Sequence, residues 1–177
     1  MATGNLGCVL VTVDGSEESM NALKWAITNL KLRPSSTSSE SQVQEEGFFL
    51  ILHVQSPPNI ITGLNPGSIP FGGPGNYEVP AFAQAVEAHQ RRISDAIISH
   101  AIEICTEKGV KHKTQVVVGD PKQVICDVAE NQHVDLLVMG CRPFGPIKRM
   151  FLGSVSNYCT NNAQCPVLNS DLDGLGE

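Results

Sequence analysis

Gly140 to Ser156, reading GCRPFGPIKRMFLGSVS, concentrates residue types suited to holding a phosphate. Gly140 allows backbone to approach a ligand closely or to take positive φ. Gly153-Ser154-Val155-Ser156 is placed to open a helix, whose first N–H groups and dipole favour an anion. The Ser154 and Ser156 hydroxyls add hydrogen-bonding capacity, and Arg142, Lys148 and Arg149 add positive charge in an acidic chain. Gly145 gives the loop a further flexible position. At the other end of the sequence, Asp14 follows an apolar run and can accept hydrogen bonds from sugar hydroxyls or a base. The chemistry indicated is binding of a phosphorylated nucleoside.

These residues need elements to position them. Gly7 to Val13 and Phe48 to Val54 are mostly apolar runs, as expected of strands covered on both faces. Thr114 to Val118, Leu136 to Met139 and Cys165 to Leu168 complete a predicted set of five strands. Between them, helical spacing predicts a helix with Ser16 as N-cap and with Met20, Leu23, Ile27 and Leu30 inward. A second helix is predicted over Ala81 to Lys108, with Phe82, Val86, Ile93, Ile97, Ala101 and Ile104 on one face and Gly109 just beyond its end. A third starts at Asp120-Pro121, a capping residue followed by proline at the first helical position. A fourth starts near Ser154. Alternation of this kind implies an α/β fold, an open doubly wound parallel sheet with helices on both faces. Strand orders 3-2-1-4-5 and 2-1-3-4-5 both satisfy it, and in the first the ligand crevice lies between strands 1 and 4. Val13-Asp14 then meets Met139-Gly140.

The 177 residues are read as one domain, 1–177. Arg33 to Gly47 is Ser- and Glu-rich, and Gln55 to Pro80 holds most of the prolines, so both are expected as mobile loops, the second as a lid or an insertion. The tail from Asp171 is expected to fray. A net charge of −6 argues against nucleic acid as a partner. No apolar run reaches the length of a membrane span, and the N-terminus lacks the positive flank of a signal peptide, so a cytoplasmic protein with no membrane partner is expected. Six cysteines without CxxC spacing are expected as free thiols. His89, His100, His112 and His133 lack metal-ligand spacing, and no catalytic motif is present, so neither a metal site nor an enzyme is expected.

VTVDGSEESMNALKWA, VVVGDPKQVICDVAE and MGCRPFGPIKRMFLGSVSNYC, with NAQCPVL, together resemble the universal stress protein family, particularly its plant group. The resemblance implies a Rossmann-like five-stranded sheet of order 3-2-1-4-5 and binding of ATP or AMP, with or without Mg²⁺. It implies Gly-x2-Gly-x9-Gly-Ser/Thr as the phosphate loop. Gly140 and Gly153-Ser154 fit that spacing, whereas Pro143 stands at the second glycine. Proline has no N–H and a fixed φ, so a backbone donor is missing there. By the same resemblance Val13, Asp14, and His53 or Val54 line the adenine and ribose side. Met139, Gly140, Arg142, Gly153, Ser154, Val155 and Ser156 line the remainder. A homodimer through the last strand is implied as well. The function expected is an adenine-nucleotide-binding stress-response module. The alternative is a nucleotide-independent interaction or thiol redox protein using Cys141, and slow ATP hydrolysis is a third option.

Overall fold

A computed structural model describes residues 5–34, 45–57, 79–141 and 153–170. The chain runs β1 (Cys8–Thr12), α1 (Glu17–Asn29), β2 (Phe48–Gln55), α2 (Val79–Glu107), β3 (His112–Val118), α3 (Pro121–Asn131), β4 (Leu136–Gly140), α4 (Ser154–Asn162) and β5 (Val167–Ser170). The strands form one sheet of order β3-β2-β1-β4-β5 with every pairing parallel. The two expected mobile segments fall largely outside the described residues, and the tail from Asp171 wholly so.

Each sheet face is buried against its own pair of helices, which is why β1 and β2 carry no polar alternation. Val9, Val11, Val13, Phe49, Ile51 and Val138 pack with Met20, Leu23 and Ile27 of α1 and with Ala101, Ile104 and Cys105 of α2. Cys8, Leu10, Leu50, Leu52, Leu137 and Met139 pack with Ile125, Val128 and Ala129 of α3 and Cys159 of α4.

Local chemistry fixes the element ends. Asp14 Oδ1 accepts from Ser16 N at 3.0 Å, closing a turn in which Gly15 takes φ of +83°. Ser16 Oγ then caps α1 by accepting from Ser19 N at 3.3 Å. Asp120 Oδ1 caps α3 through Lys122 N at 3.0 Å, with Pro121 at its start. Gly109 follows α2 in the left-handed region at φ +63°. Asp135 Oδ2 accepts from Gly7 N at 2.6 Å and Cys8 N at 3.0 Å, tying the entry of β1 to that of β4.

Two expectations are corrected. Ile93 is 46% exposed, and the inward position next to it belongs to Ser94, which is buried. The α2 stripe turns on a serine because a polar group awaits it on β2. The last strand is Val167–Ser170, two residues later than expected. Asn169 and Ser170 look too polar for a strand, yet they register with Met139 and Gly140.

All six cysteines are outside any disulfide. Burial pushes the thiols of Cys8 and Cys105 up to about 11 and that of Cys159 to about 12. Among the described residues no helix is long and apolar enough to cross a membrane.

Candidate functional site

A cavity of about 270 Å³ opens at the carboxyl ends of β1 and β4. The chain leaves β1 toward β2 on one side, while β4 lies on the other, so the helices that follow them diverge. That divergence opens the crevice where ligands of such sheets bind. Thr12, Val13 and Asp14 reach the cavity from β1 and its turn, Met139 and Gly140 from β4, and Leu52 and Val54 from β2. Pro121 and Ile125 of α3, Ser19 of α1, and Gly153 to Ser156 at the start of α4 complete the described lining.

The lining is two-sided. Toward β2 and α3 it is apolar, with Leu52, Val54, Pro121 and Ile125. Toward β4 and α4 it offers two serines and a helix start. The start of α4 differs from those of α1 and α3. Its cap residue is Gly153, and among the described residues no side chain caps it. Intrahelical bonding begins with Asn157 N donating to Gly153 O at 2.8 Å. The amides of Ser154, Val155 and Ser156 therefore precede the first intrahelical bond, and these residues line the cavity.

Nine of the twelve residues expected from the sequence come together here: Val13, Asp14, Val54, Met139, Gly140, Gly153, Ser154, Val155 and Ser156. Arg142 and Gly145 lie outside the described residues, as do Pro143, Lys148 and Arg149. His53 does not line the cavity. Strand alternation sends Leu52 and Val54 to the cavity face and His53 to the opposite one, where it is buried against α2. Its Nδ1 lies 2.8 Å from Val13 O and its Nε2 lies 3.1 Å from Ser94 Oγ.

Gly140 has a role the sequence did not reveal. A Cβ there would lie 2.6 Å from Ser19 N and 2.7 Å from the carbonyl C and O of Glu18. The bare glycine lets the end of β4 abut the first turn of α1, and no positive φ is involved. Asp14 likewise serves the turn through Oδ1 while lining the cavity. Thr12, Ser19, Leu52, Pro121 and Ile125 were not expected at the site. Leu52 was implicit in Val54, two residues along the same strand face. Pro121 and Ile125 read as a helix start and a core position, which they also are. Among the described residues no group of three or more His, Cys, Asp or Glu is placed to hold a metal ion.

The fold is a doubly wound parallel sheet with the start of α4 at its switch point. A family model described as the universal stress protein family matches residues 7–169, and the chain belongs to that family. Universal stress protein PHOS34 of Arabidopsis thaliana is 31% identical over 166 residues, covering 89% of this chain and 59% of PHOS34. The chain thus spans well under two thirds of that relative's length. Universal stress protein YxiE of Bacillus subtilis is 29% identical over 160 residues, covering 90% of this chain and 95% of YxiE. Among solved structures, a universal stress family protein of Arabidopsis thaliana with AMP bound superposes with a TM-score of 0.58 at 23% identity, covering 92% of this chain and 90% of that one. At that identity the likeness establishes the fold.

Proposed function

We propose that this protein binds an adenine nucleotide, AMP or ATP, in the β1–β4 cavity and acts as a ligand-dependent stress-response module. The observation that carries the reading is the uncapped start of α4 within the cavity wall, opposite an apolar side suited to a base. Ser154 and Ser156, with the amides around them, would take the phosphate, and Leu52, Val54 and Ile125 would pack on adenine. Asp14 would accept from the ribose. A cavity of about 270 Å³ suits one mononucleotide better than a dinucleotide. Mg²⁺ would enter with the phosphates of ATP. The AMP held by the structurally similar Arabidopsis protein supports the same class of ligand. We read the protein as a cytoplasmic binding module rather than an enzyme, and as a homodimer joined through the edge strand β5. Titration calorimetry with millimolar AMP and ATP tests the reading. Binding heat that falls at least tenfold in affinity on Ser154→Pro, which removes a first-turn amide, is expected. Absence of heat with both nucleotides, together with no rise in melting temperature, refutes it.

Pro143 favours a second reading, in which the loop has lost a phosphate donor and the surface serves partners or thiol chemistry at Cys141 instead. The substitution Pro143→Gly separates the two. Nucleotide binding that appears only in the variant selects the second reading.

A further inference from the structure

We infer that His53, which does not touch the cavity, is a positioning residue for it, holding Val13 in place through a proton kept on Nδ1. The inference rests on the nucleotide reading for its ligand and on the following geometry for its mechanism. Val13 lines the cavity, and both of its backbone polar groups are engaged on the side of β2. Its N–H donates to Leu52 O at 2.9 Å, and its carbonyl lies 2.8 Å from His53 Nδ1. A carbonyl only accepts, so Nδ1 must carry hydrogen. The bond lies at the point where β1 ends and the Asp14 turn begins, so it sets the direction in which Val13 and Asp14 present themselves.

The ring is itself held by a relay running into α2. Nε2 lies 3.1 Å from Ser94 Oγ, Ser94 Oγ lies 3.2 Å from Gln55 Oε1, and Gln55 Nε2 lies 3.3 Å from Gln90 Oε1. Ser94 has one proton for two acceptors. Where it goes to Gln55, Ser94 Oγ turns a lone pair toward Nε2. Where it goes to Nε2, the Gln55 amide turns over and donates to Ser94. Nδ1 keeps its proton for Val13 in both arrangements, so the hold on the cavity edge survives either state of the relay. His53 and Ser94 are both buried, so water does not replace these partners.

Two substitutions of similar polarity separate positioning from simple core satisfaction. His53→Asn would place an amide N–H where Nδ1 stands and lose Ser94; His53→Gln would reach Ser94 and lose Val13. Calorimetry with AMP on the full chain should give H53N within about twofold of the wild type and H53Q about tenfold weaker, the loss of one buried hydrogen bond at the site. Equal weakening in both variants, or the reverse order, overturns the inference. Long-range ¹H–¹⁵N correlation on the wild-type imidazole without ligand should show a protonated Nδ1. A bare Nδ1 overturns the inference regardless of nucleotide. A wild type that binds no AMP but shows a protonated Nδ1 removes the nucleotide reading and leaves the hold on Val13 standing.

Discussion

Replacing Gly140 by alanine separates packing from ligand contact at the end of β4. The added Cβ would meet Ser19 N at 2.6 Å and Glu18 C and O at 2.7 Å, where ordinary contact begins at 3.4 Å. All three neighbours are backbone, so no side chain can swing aside. The first turn of α1 must retreat by about 0.8 Å, the difference between 3.4 and 2.6 Å. That retreat stretches the bond from Asp14 N to Ser19 Oγ, already 3.3 Å, past useful length. Overpacking of this kind costs about 1–3 kcal/mol, and the lost hydrogen bond adds about 1 kcal/mol. A total of roughly 2–4 kcal/mol lowers the melting point by about 4–16 °C for a chain of this size. Differential scanning calorimetry without nucleotide is the assay, with Gly153→Ala as control. At Gly153 a Cβ would meet nothing nearer than Ser156 Oγ at 4.0 Å, so that variant should lose no more than about 1 kcal/mol. A G140A protein that melts with the wild type refutes the packing argument. Weakened AMP binding by G140A would then have to come from the ligand side.

Three further outcomes follow from the caps and the thiols. Ser16→Ala removes the acceptor for Ser19 N and frees Asp14 Oδ1 from one partner, and urea unfolding should show a loss of about 1 kcal/mol with an unchanged m-value. The buried thiols of Cys8, Cys105 and Cys159 are raised to about 11, 11 and 12 from an ordinary 9.0, so they stay neutral in the folded protein where an unfolded chain would ionise. Their contribution to stability is complete below pH 9 and is lost as pH rises toward 11–12. Native-state alkylation at pH 8, mapped by mass spectrometry, should leave these three unmodified; rapid labelling of Cys159 would contradict its burial.

The sheet was legible because β1, β2 and β4 are mostly apolar, and because Asp120-Pro121 and Ser16 mark helix starts by side-chain chemistry alone. Most of the cavity was legible for the same reason: it is made of strand ends and one helix start, and those are places in a sequence. What stayed hidden depends on pairing between distant residues. Ser94 broke the apolar stripe of α2 because it answers His53, 41 positions away. The family resemblance points to His53 or Val54 at the end of a strand, but which of the two faces the cavity depends on which face the cavity occupies, and it is Val54. The polar end of β5 was obscured because Asn169 is accommodated by its Nδ2 donating to Thr160 Oγ1 at 3.0 Å. The edge of β3 tolerates His112 and Lys113 because among the described residues only β2 pairs with it, and Lys113 Nζ rests 4.1 Å from the centre of the Phe48 ring.

The missing side chain at Gly140 also bears on how the cavity can change shape. Backbone set directly against backbone leaves no compressible layer between the end of β4 and the first turn of α1. These two parts, and the Asp14 turn bonded to Ser19, must travel as one rigid body. A guest molecule cannot be admitted by prising them apart. Among the described residues, breathing of the cavity belongs to the opposite wall, where α3 and α4 meet the sheet through side chains that can change rotamer. One wall is then a fixed jaw and the other a moving one, so the rates of ligand entry and escape should respond to substitutions in α3 and α4 far more than to those in α1.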